Sequence, residues 1–414
     1  MIKAPIRHSF PLTLLSLVLL FAASKPLAQE NPTVEPTFEQ CRSSLRQKAL
    51  DEEFSDFILN DVVGNLTPLD RVIELDRSQP EFTESFAGYV RKRVSKLRVE
   101  TGKRMLQEHA VLLDGLERQY GIPPRYIVAF WGLETNFGSY KGEVQLLNAL
   151  ATLACDPRRS QYFTQELFNL FSLLENQLVK REQLLGSWAG AMGHMQFMPT
   201  ALKTYGKDGD GDGKLNVWES LPDAFTSAAH YLQRIGWNKE EIWGRRVEIP
   251  KNFAFGEVTF DKTYPLSHFK ALGVTKTFKR PLPNYDTQAQ LVLPAGHTGP
   301  AFLVYGNFSV ILEWNFSQNY ALAVGLLADE LVNIHHRLDN IGEERNFFTN
   351  EDLKLLQQKL KEKGFDIDKP DGIWGPMTRN ALQKYQLENK LVADGFPNRE
   401  VFATLAIELG EPKR

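Results

Sequence analysis

The sequence predicts a mainly α protein: a large helical body with a small β-containing insert and an EF-hand-like loop, followed by a small unit of three helices. Three observations lead there. Apolar residues recur at helical spacing through much of residues 38–244, short apolar runs broken by Gly and Pro replace them between Arg246 and Trp314, and a new helix-start signal appears at Thr349. With 414 residues, 43% hydrophobic and 24% charged, the chain has the balance of a globular protein of two or three domains, which excludes disorder as the default.

The N-terminus breaks that balance. Lys3 and Arg7 precede an apolar run from Leu12 to Ala23, and small residues lead to Ala28, the layout of a secretory signal peptide over residues 1–28. The alternative is a single membrane anchor, but the run is about half of the ~20 residues a spanning helix needs. A lipid anchor would require a cysteine directly after the run; Ser24-Lys25-Pro26-Leu27-Ala28 has none, so no lipid anchor is expected. Removing this segment takes away Lys3, Arg7 and Lys25 and no acid, which moves the formal charge from −3 to −6. That charge argues against a nucleic-acid partner, since phosphate binding needs a concentrated excess of Lys and Arg. In an oxidising compartment Cys41 and Cys155 suggest a disulfide; two buried free thiols are the alternative.

Residues 29–38 are polar and contain Pro32 and Pro36, a short leader before a first domain over residues 36–340. Asp76–Arg118 and Thr164–Leu178 carry apolar residues at three- and four-residue intervals and read as helices. In the insert, Leu291-Val292-Leu293, Phe302-Leu303-Val304-Tyr305 and Val310-Ile311-Leu312 read as short strands. Tyr320–Leu338, rich in Ala and Leu, returns to helix and is expected to pack on the first helical block. A second domain, residues 348–410, opens with Thr349 and Asp352 at capping-box spacing, and Leu353, Leu356 and Leu360 mark one face of its first helix. Gly364 stops that helix, Asp371–Pro376 forms a turn, and Thr378–Leu387 makes another helix with Ala381, Leu382 and Tyr385 on one side.

Pro123 and Pro124 suit a first helical turn, and Ile127, Phe130 and Trp131 then fall on one face whose next position is Glu134. A carboxyl held among apolar neighbours loses hydration, and its pKa rises enough for it to keep a proton to donate. By period alone, the other reading is an ordinary helix-end residue turned to solvent or bonded near Asn136.

Two stretches bear on that choice: Gly132-Leu133-Glu134-Thr135-Asn136-Phe137-Gly138 and Gly186-Ser187-Trp188-Ala189-Gly190-Ala191-Met192-Gly193-His194-Met195-Gln196-Phe197-Met198-Pro199. They closely resemble the catalytic-glutamate and Gly-Ala-Met-Gly-x-x-Gln-Phe-Met-Pro motifs of the B-type lytic murein transglycosylases. Trp314-Asn315-Phe316-Ser317-Gln318-Asn319-Tyr320-Ala321-Leu322-Ala323-Val324 is similar to that family's third element, whose first aromatic is usually Tyr where this chain has Trp314. The resemblance covers roughly Phe38 to Asp339. It implies a lysozyme-like helical fold around a long groove, a periplasmic location, Glu134 as catalytic acid and base, and Ser187, Gln196, Asn315 and Tyr320 as groove residues that hold the sugar. Each of those four also has a plain packing or capping reading. Gly190 and Gly193, lacking side chains, would let backbone approach a flat sugar ring.

Ordinary glycosidases use two carboxylates, and beside Glu134 only Glu143 and Asp156 are candidates, neither on an apolar helical face. The transglycosylase reaction implied by the resemblance needs one. The N-acetyl group of N-acetylmuramic acid stabilises charge at C1 and the C6 hydroxyl attacks that carbon, so a single carboxyl gives a proton and then takes one. A hydrolytic muramidase and a non-catalytic wall-binding protein are the competing readings.

Asp208-Gly209-Asp210-Gly211-Asp212-Gly213-Lys214-Leu215-Asn216-Val217-Trp218-Glu219 fits the EF-hand calcium loop: Asp208, Asp210 and Asp212 as alternating carboxylates, Gly213 at the sharp turn, the Lys214 carbonyl and a bidentate Glu219. A solvated acidic turn is the alternative; a bound calcium ion would stabilise the fold and leave the chemistry alone. The stretch Asp371-Gly372-Ile373-Trp374-Gly375-Pro376-Met377-Thr378-Arg379-Asn380-Ala381-Leu382 looks like the peptidoglycan-binding module of cell-wall enzymes, with a generic helical bundle as alternative. Peptidoglycan glycan strands are therefore the implied partner.

Overall fold

The computed structural model of the chain describes residues 36–77, 84–336, 341–342 and 348–410; the signal peptide expected over residues 1–28 lies outside them. Among the described residues no helix is long and apolar enough to cross a membrane.

The helical body is built around the Pro124–Thr135 helix. Pro123 sits extended at the cap and Pro124 opens the first turn, where a missing N–H is not needed. The spacing predicts one buried face, but Tyr126 to Gly132 are all buried, and a helix apolar all round has to be central. Lys96–Glu108, Ala110–Tyr120, Leu221–Arg234 and Gln318–Leu331 pack against it. The last of these was expected to reach Leu338, but it stops at Leu331 and Asn333 is left-handed, with φ 61°. Gly325 on this helix is required by close approach: an added Cβ would lie 2.2 Å from Trp243 Cδ2. The fully buried Trp243 donates from Nε1 to Asp329 Oδ2 at 2.9 Å, which fixes the start of the insert to the same helix.

Val144–Gln145 (β1) and Leu185–Gly186 (β2) form a short antiparallel pair inside the helical body. The insert is a five-stranded sheet of Gly244–Glu248 (β3), Tyr264–Pro265 (β4), Thr275–Lys276 (β5), Gln288–Val292 (β6) and Ala301–Val304 (β7), in the order β4-β6-β7-β3-β5 with every pairing antiparallel. Alternation divides its faces: Val247, Leu291 and Leu303 enter the insert's own core, whereas Val292, Phe302 and Val304 enter the core of the helical body. The strand expected at Val310-Ile311-Leu312 is instead part of the Gly306–Trp314 helix. Phe308 and Ile311, three apart, are both buried there, and a short apolar run in fully buried surroundings has no period that separates strand from helix.

The third core, with Leu353, Leu356, Leu382, Tyr385 and Phe402, lies among the helices Asn350–Glu362, Pro376–Glu388 and Arg399–Thr404. The expected capping box is present, with Asp352 N donating to Thr349 Oγ1 at 3.1 Å and Thr349 N donating to Asp352 Oδ2 at 2.7 Å. This module lies against the insert. Gln383 Nε2 donates to the carbonyls of Phe255 and Val258 at 2.9 and 2.7 Å. Asp394, 1% exposed, meets His297 Nδ1 at 2.5 Å and accepts from His297 N at 2.9 Å.

Cys41 is bonded to Cys155 across 114 residues, joining the Phe38–Asp51 helix to the end of Leu146–Ala154. Closing so long a loop restricts the unfolded chain, so replacing both cysteines by serine is expected to lower stability by about 2–5 kcal/mol. Denaturant unfolding under oxidising conditions measures this; an unmoved midpoint would show the cross-link to be inert.

Candidate active site

Glu134 lies one residue before the end of the central helix and is half-buried. Its Oε1 accepts from Trp314 Nε1 at 2.9 Å and from the hydroxyl of Tyr320. The carboxyl thus turns toward these two donors; Asn136, its alternative neighbour, bonds Ser139 Oγ at 3.0 Å. Tyr320 is 4% exposed, and burial first, then the adjacent Glu134 charge, raises its pKa well above 10. It therefore stays protonated and keeps donating.

The turn between these donors sets their spacing. Trp314 ends the Gly306–Trp314 helix, and Ser317 N donates to Asn315 Oδ1 at 3.1 Å. Ser317 Oγ then caps the next helix by accepting from Tyr320 N at 3.3 Å. Of the expected sugar-holding residues, Asn315 thus spends its side-chain oxygen on this turn, and Tyr320 gives its hydroxyl hydrogen to the carboxylate. Around Trp314 stand Phe130, Phe197 and Tyr231, with ring centroids 4.7, 5.5 and 5.2 Å away.

The Gly186–Pro199 segment forms the neighbouring wall, held by paired Met192 and Phe197 backbone bonds at 2.9 and 3.0 Å. Ser187 Oγ accepts from Ala191 N at 2.9 Å, and Gln196 Nε2 donates to Lys141 O at 3.2 Å and Gly193 O at 2.9 Å. The expected reason for the glycines needs correction. A Cβ at Gly190 would lie 2.4 Å from Leu150 Cδ2 and one at Gly193 2.3 Å from Val217 O. Both positions are closed by the protein itself, and both have positive φ, which glycine tolerates.

The composition of the motifs gave no sign of how they touch one another. Trp131 Nε1 donates to His194 Nδ1 at 3.0 Å, and Thr135 Oγ1 donates to His194 O at 2.8 Å. Burial, then the charge of Lys141, pushes the His194 pKa down to about 4, so the ring is neutral and can accept. The two motifs are thereby tied together beside Glu134. Trp314 as a donor was also missed: an aromatic at that place reads as packing until its N–H is seen on the carboxylate. The other acids lie elsewhere in the site's surroundings. Glu143 is exposed. Asp156 pairs with Arg77 at 2.5 Å, and although burial opposes its charge, Arg77 and Arg158 hold its pKa below the usual carboxylate value.

The stretch that carries this half-buried glutamate and the glycine-rich wall beside it falls within a match to a known family. The model of the transglycosylase SLT domain fits residues 37–329. The chain belongs to this transglycosylase family. A peptidoglycan binding domain model fits residues 349–405. The membrane-bound lytic murein transglycosylase B of Escherichia coli (strain K12) is 33% identical over 280 residues, 64% of this chain and 75% of that protein. SltB3 from Pseudomonas aeruginosa, solved in complex with NAG-anhNAM-pentapeptide, is 37% identical and superposes with a TM-score of 0.82, over 89% of this chain and 99% of its own. The Escherichia coli transglycosylase Slt35, solved in complex with calcium, is 31% identical with a TM-score of 0.62, covering 70% of this chain and 92% of its own.

In this transglycosylase the acidic loop lies between the helices Pro199–Tyr205 and Leu221–Arg234. Carboxylate oxygens of Asp208, Asp210 and Asp212 come within 4.8 Å of one another. Glu219 is outside that group, and its Oε2 accepts from Asn216 Nδ2 at 3.4 Å; the Lys214 side chain reaches Gln177 O at 3.1 Å. Backbone N–H groups of Gly213, then Gly211 and Asp212, depress the pKa of Asp208. Asp223, fully buried, spans the loop by accepting from Gly209 N and Asn216 N, both at 2.8 Å.

In this transglycosylase, Trp314→Phe keeps a ring against Phe130 and removes one donor from the carboxylate. Hydrogen bonds to charged groups contribute about 1.5–3 kcal/mol, so kcat is expected to fall about 10- to 100-fold while circular dichroism shows the native fold retained and the smaller ring lowers the melting temperature modestly. Undiminished turnover would show that the indole N–H serves packing alone.

Proposed function

We propose that this protein is a lytic transglycosylase that cuts the β-1,4 bond between N-acetylmuramic acid and N-acetylglucosamine in peptidoglycan and leaves 1,6-anhydromuramic acid ends. The observation that carries this reading is the convergence of Trp314 Nε1 and the Tyr320 hydroxyl on one oxygen of Glu134. With Oε1 occupied as an acceptor, the acidic proton belongs on Oε2. Glu134 gives that proton to the bridging oxygen as the C1–O bond breaks, and the N-acetyl carbonyl of the muramic sugar takes up the positive charge at C1. The carboxylate then removes the proton of the C6 hydroxyl while its oxygen bonds to C1. No water is consumed, and the attacking group is already tethered to the reacting sugar, which makes the step intramolecular.

The SLT and peptidoglycan binding matches support the substrate class, as do the fragments bound in the SltB3 complexes. A substrate in the wall calls for a periplasmic location, consistent with export by the N-terminal segment over residues 1–28. Ser187 and Gln196, on the wall beside the carboxyl, are assigned to sugar contact, with Asn315 and Tyr320 shaping the site around Glu134.

The aspartates at 208, 210 and 212 suit a hard cation, and calcium is assigned there with the Lys214 carbonyl and Glu219 completing an oxygen set. The ion would neutralise crowded carboxylates and leave the glycosidic chemistry to Glu134.

Two measurements test these assignments. Glu134→Gln, isosteric but unable to give a proton, is expected to abolish release of wall fragments while retaining the native melting temperature. Mass spectrometry of wild-type digests is expected to find ends lighter by one water than reducing ends; reducing ends would mark a hydrolase, and no digestion by the wild type a binding protein. For the loop, calcium at about a hundredfold over Kd is expected to raise stability by about 2.7 kcal/mol, and chelator to reverse it. Melting curves that ignore both would remove the cation assignment.

A further inference from the structure

On the insert side, away from Glu134, lies a cavity of about 620 Å³. It opens between strands β3 and β5 and the chain beyond the Gln318–Leu331 helix, at the opposite end of that helix from Tyr320. A 14-residue helix is roughly 20 Å long, so the cavity is separate from the carboxyl that performs cleavage.

Its lining is cationic in a chain whose net charge is negative. Arg245, Arg246, Lys276 and Arg280 line it, and Glu248 is the acid among them. Glu248 Oε1 is committed to Phe278 N at 2.8 Å. The histidines of the lining each face an acid already: His336 meets Asp329 at 2.9 Å, His335 meets Glu330 at 2.8 Å and His297 meets Asp394 at 2.5 Å. The permanent positive charge that lines the cavity itself is that of the three arginines and the lysine, while the carboxylates of Asp329, Glu330 and Asp394 lie behind its histidines.

The rim carries a second sign of use. Phe278 and Lys279 both have positive φ, 62° and 52°, a conformation unfavourable for side chains of that size. The strain is retained by the Glu248 contact and by Lys276 N bonding Arg280 O at 2.8 Å. Its result is a Phe278 ring that is 63% exposed, with the Arg280 guanidinium 5.9 Å from its centroid. An apolar ring beside guanidinium groups suits a ligand that has both aliphatic surface and carboxylates.

We propose that this cavity binds the carboxylate-bearing stem peptide of peptidoglycan, at a distance from the glycan bond being cut. The inference rests on peptidoglycan being the substrate, and the peptides of that polymer carry free carboxylates that a basic pocket recognises. The site holds the strand by its peptide while Glu134 acts on its sugar.

The test uses the full-length chain carrying Glu134→Gln, so that nothing is cut, and fluorescence anisotropy with two labelled probes. One is the NAG–NAM disaccharide with its pentapeptide, the other the same disaccharide without peptide. The peptide-bearing probe is expected to bind at least tenfold tighter, with a preference that shrinks as salt rises. Adding Lys276→Glu and Arg280→Glu is expected to erase the preference and leave the peptide-free probe unaffected; the milder Lys276→Gln and Arg280→Gln pair, for use if reversal disturbs folding, is expected to reduce it at least threefold. Equal affinity for the two probes, or a preference untouched by either pair, overturns the proposal. So does displacement of the peptide-bearing probe by inorganic phosphate as readily as by unlabelled fragment, which would mark a general anion site. Failure of the peptidoglycan reading itself looks different: neither probe binds, and the wild-type enzyme releases nothing from walls.

Discussion

The site depends on one polar contact: two donors from a distant part of the chain converge on Oε1 of Glu134, and their hydrogen bonds orient its carboxyl. One is an indole, which cannot lose its proton, and the other a buried phenol whose ionisation is suppressed by burial and by the carboxylate beside it. Both keep their protons under ordinary conditions, and the indole N–H can only donate, so the direction of its bond to the carboxyl is set by covalent chemistry.

Holding that geometry requires elements far apart in sequence to keep register. Glu134 and its donors are separated by 180 and 186 residues, with the acidic loop and the whole β insert between them. Several contacts keep that span from loosening. Trp131 and Thr135 fasten the glycine-rich wall to the central helix through His194. Trp243 packs on Gly325 and bonds Asp329, anchoring the insert to the helix that carries Tyr320. The C-terminal module reaches the start of that same helix, with Arg379 Nη2 donating to Gln318 Oε1 at 3.2 Å. Arg379 is buried, which lowers its pKa to about 10, and Asp394 partly restores it. Buried polar groups bonded in this way specify one arrangement, since each loses a partner if the elements slip.

Local features that depend on short contiguous words were legible early. Glu134 within Gly-Leu-Glu-Thr-Asn-Phe-Gly, the aspartates of the acidic loop and the capping box at Thr349 all express local rules that spacing reveals. Roles that depend on contact were not. Trp314 read as a departure from the usual tyrosine, yet its N–H reaches the carboxylate. Gly190 and Gly193 read as room for a sugar, yet Leu150 and Val217 occupy that room. Asp223, which spans the acidic loop, sits in a helix with nothing in its neighbours to announce it.

By itself the sequence determined the fold class, the family resemblance, the place of Glu134 near the end of an apolar helix and the order of the two domains, because these follow from period, composition and motif along one dimension. Tertiary structure alone decided that Val310–Leu312 is helical, that the central helix is enclosed on nearly all sides, that the C-terminal module rests on the insert, and that Trp314 and Tyr320 meet Glu134. Each of those depends on what surrounds a residue in space, and burial and hydrogen-bond partners come into being only when distant segments pack.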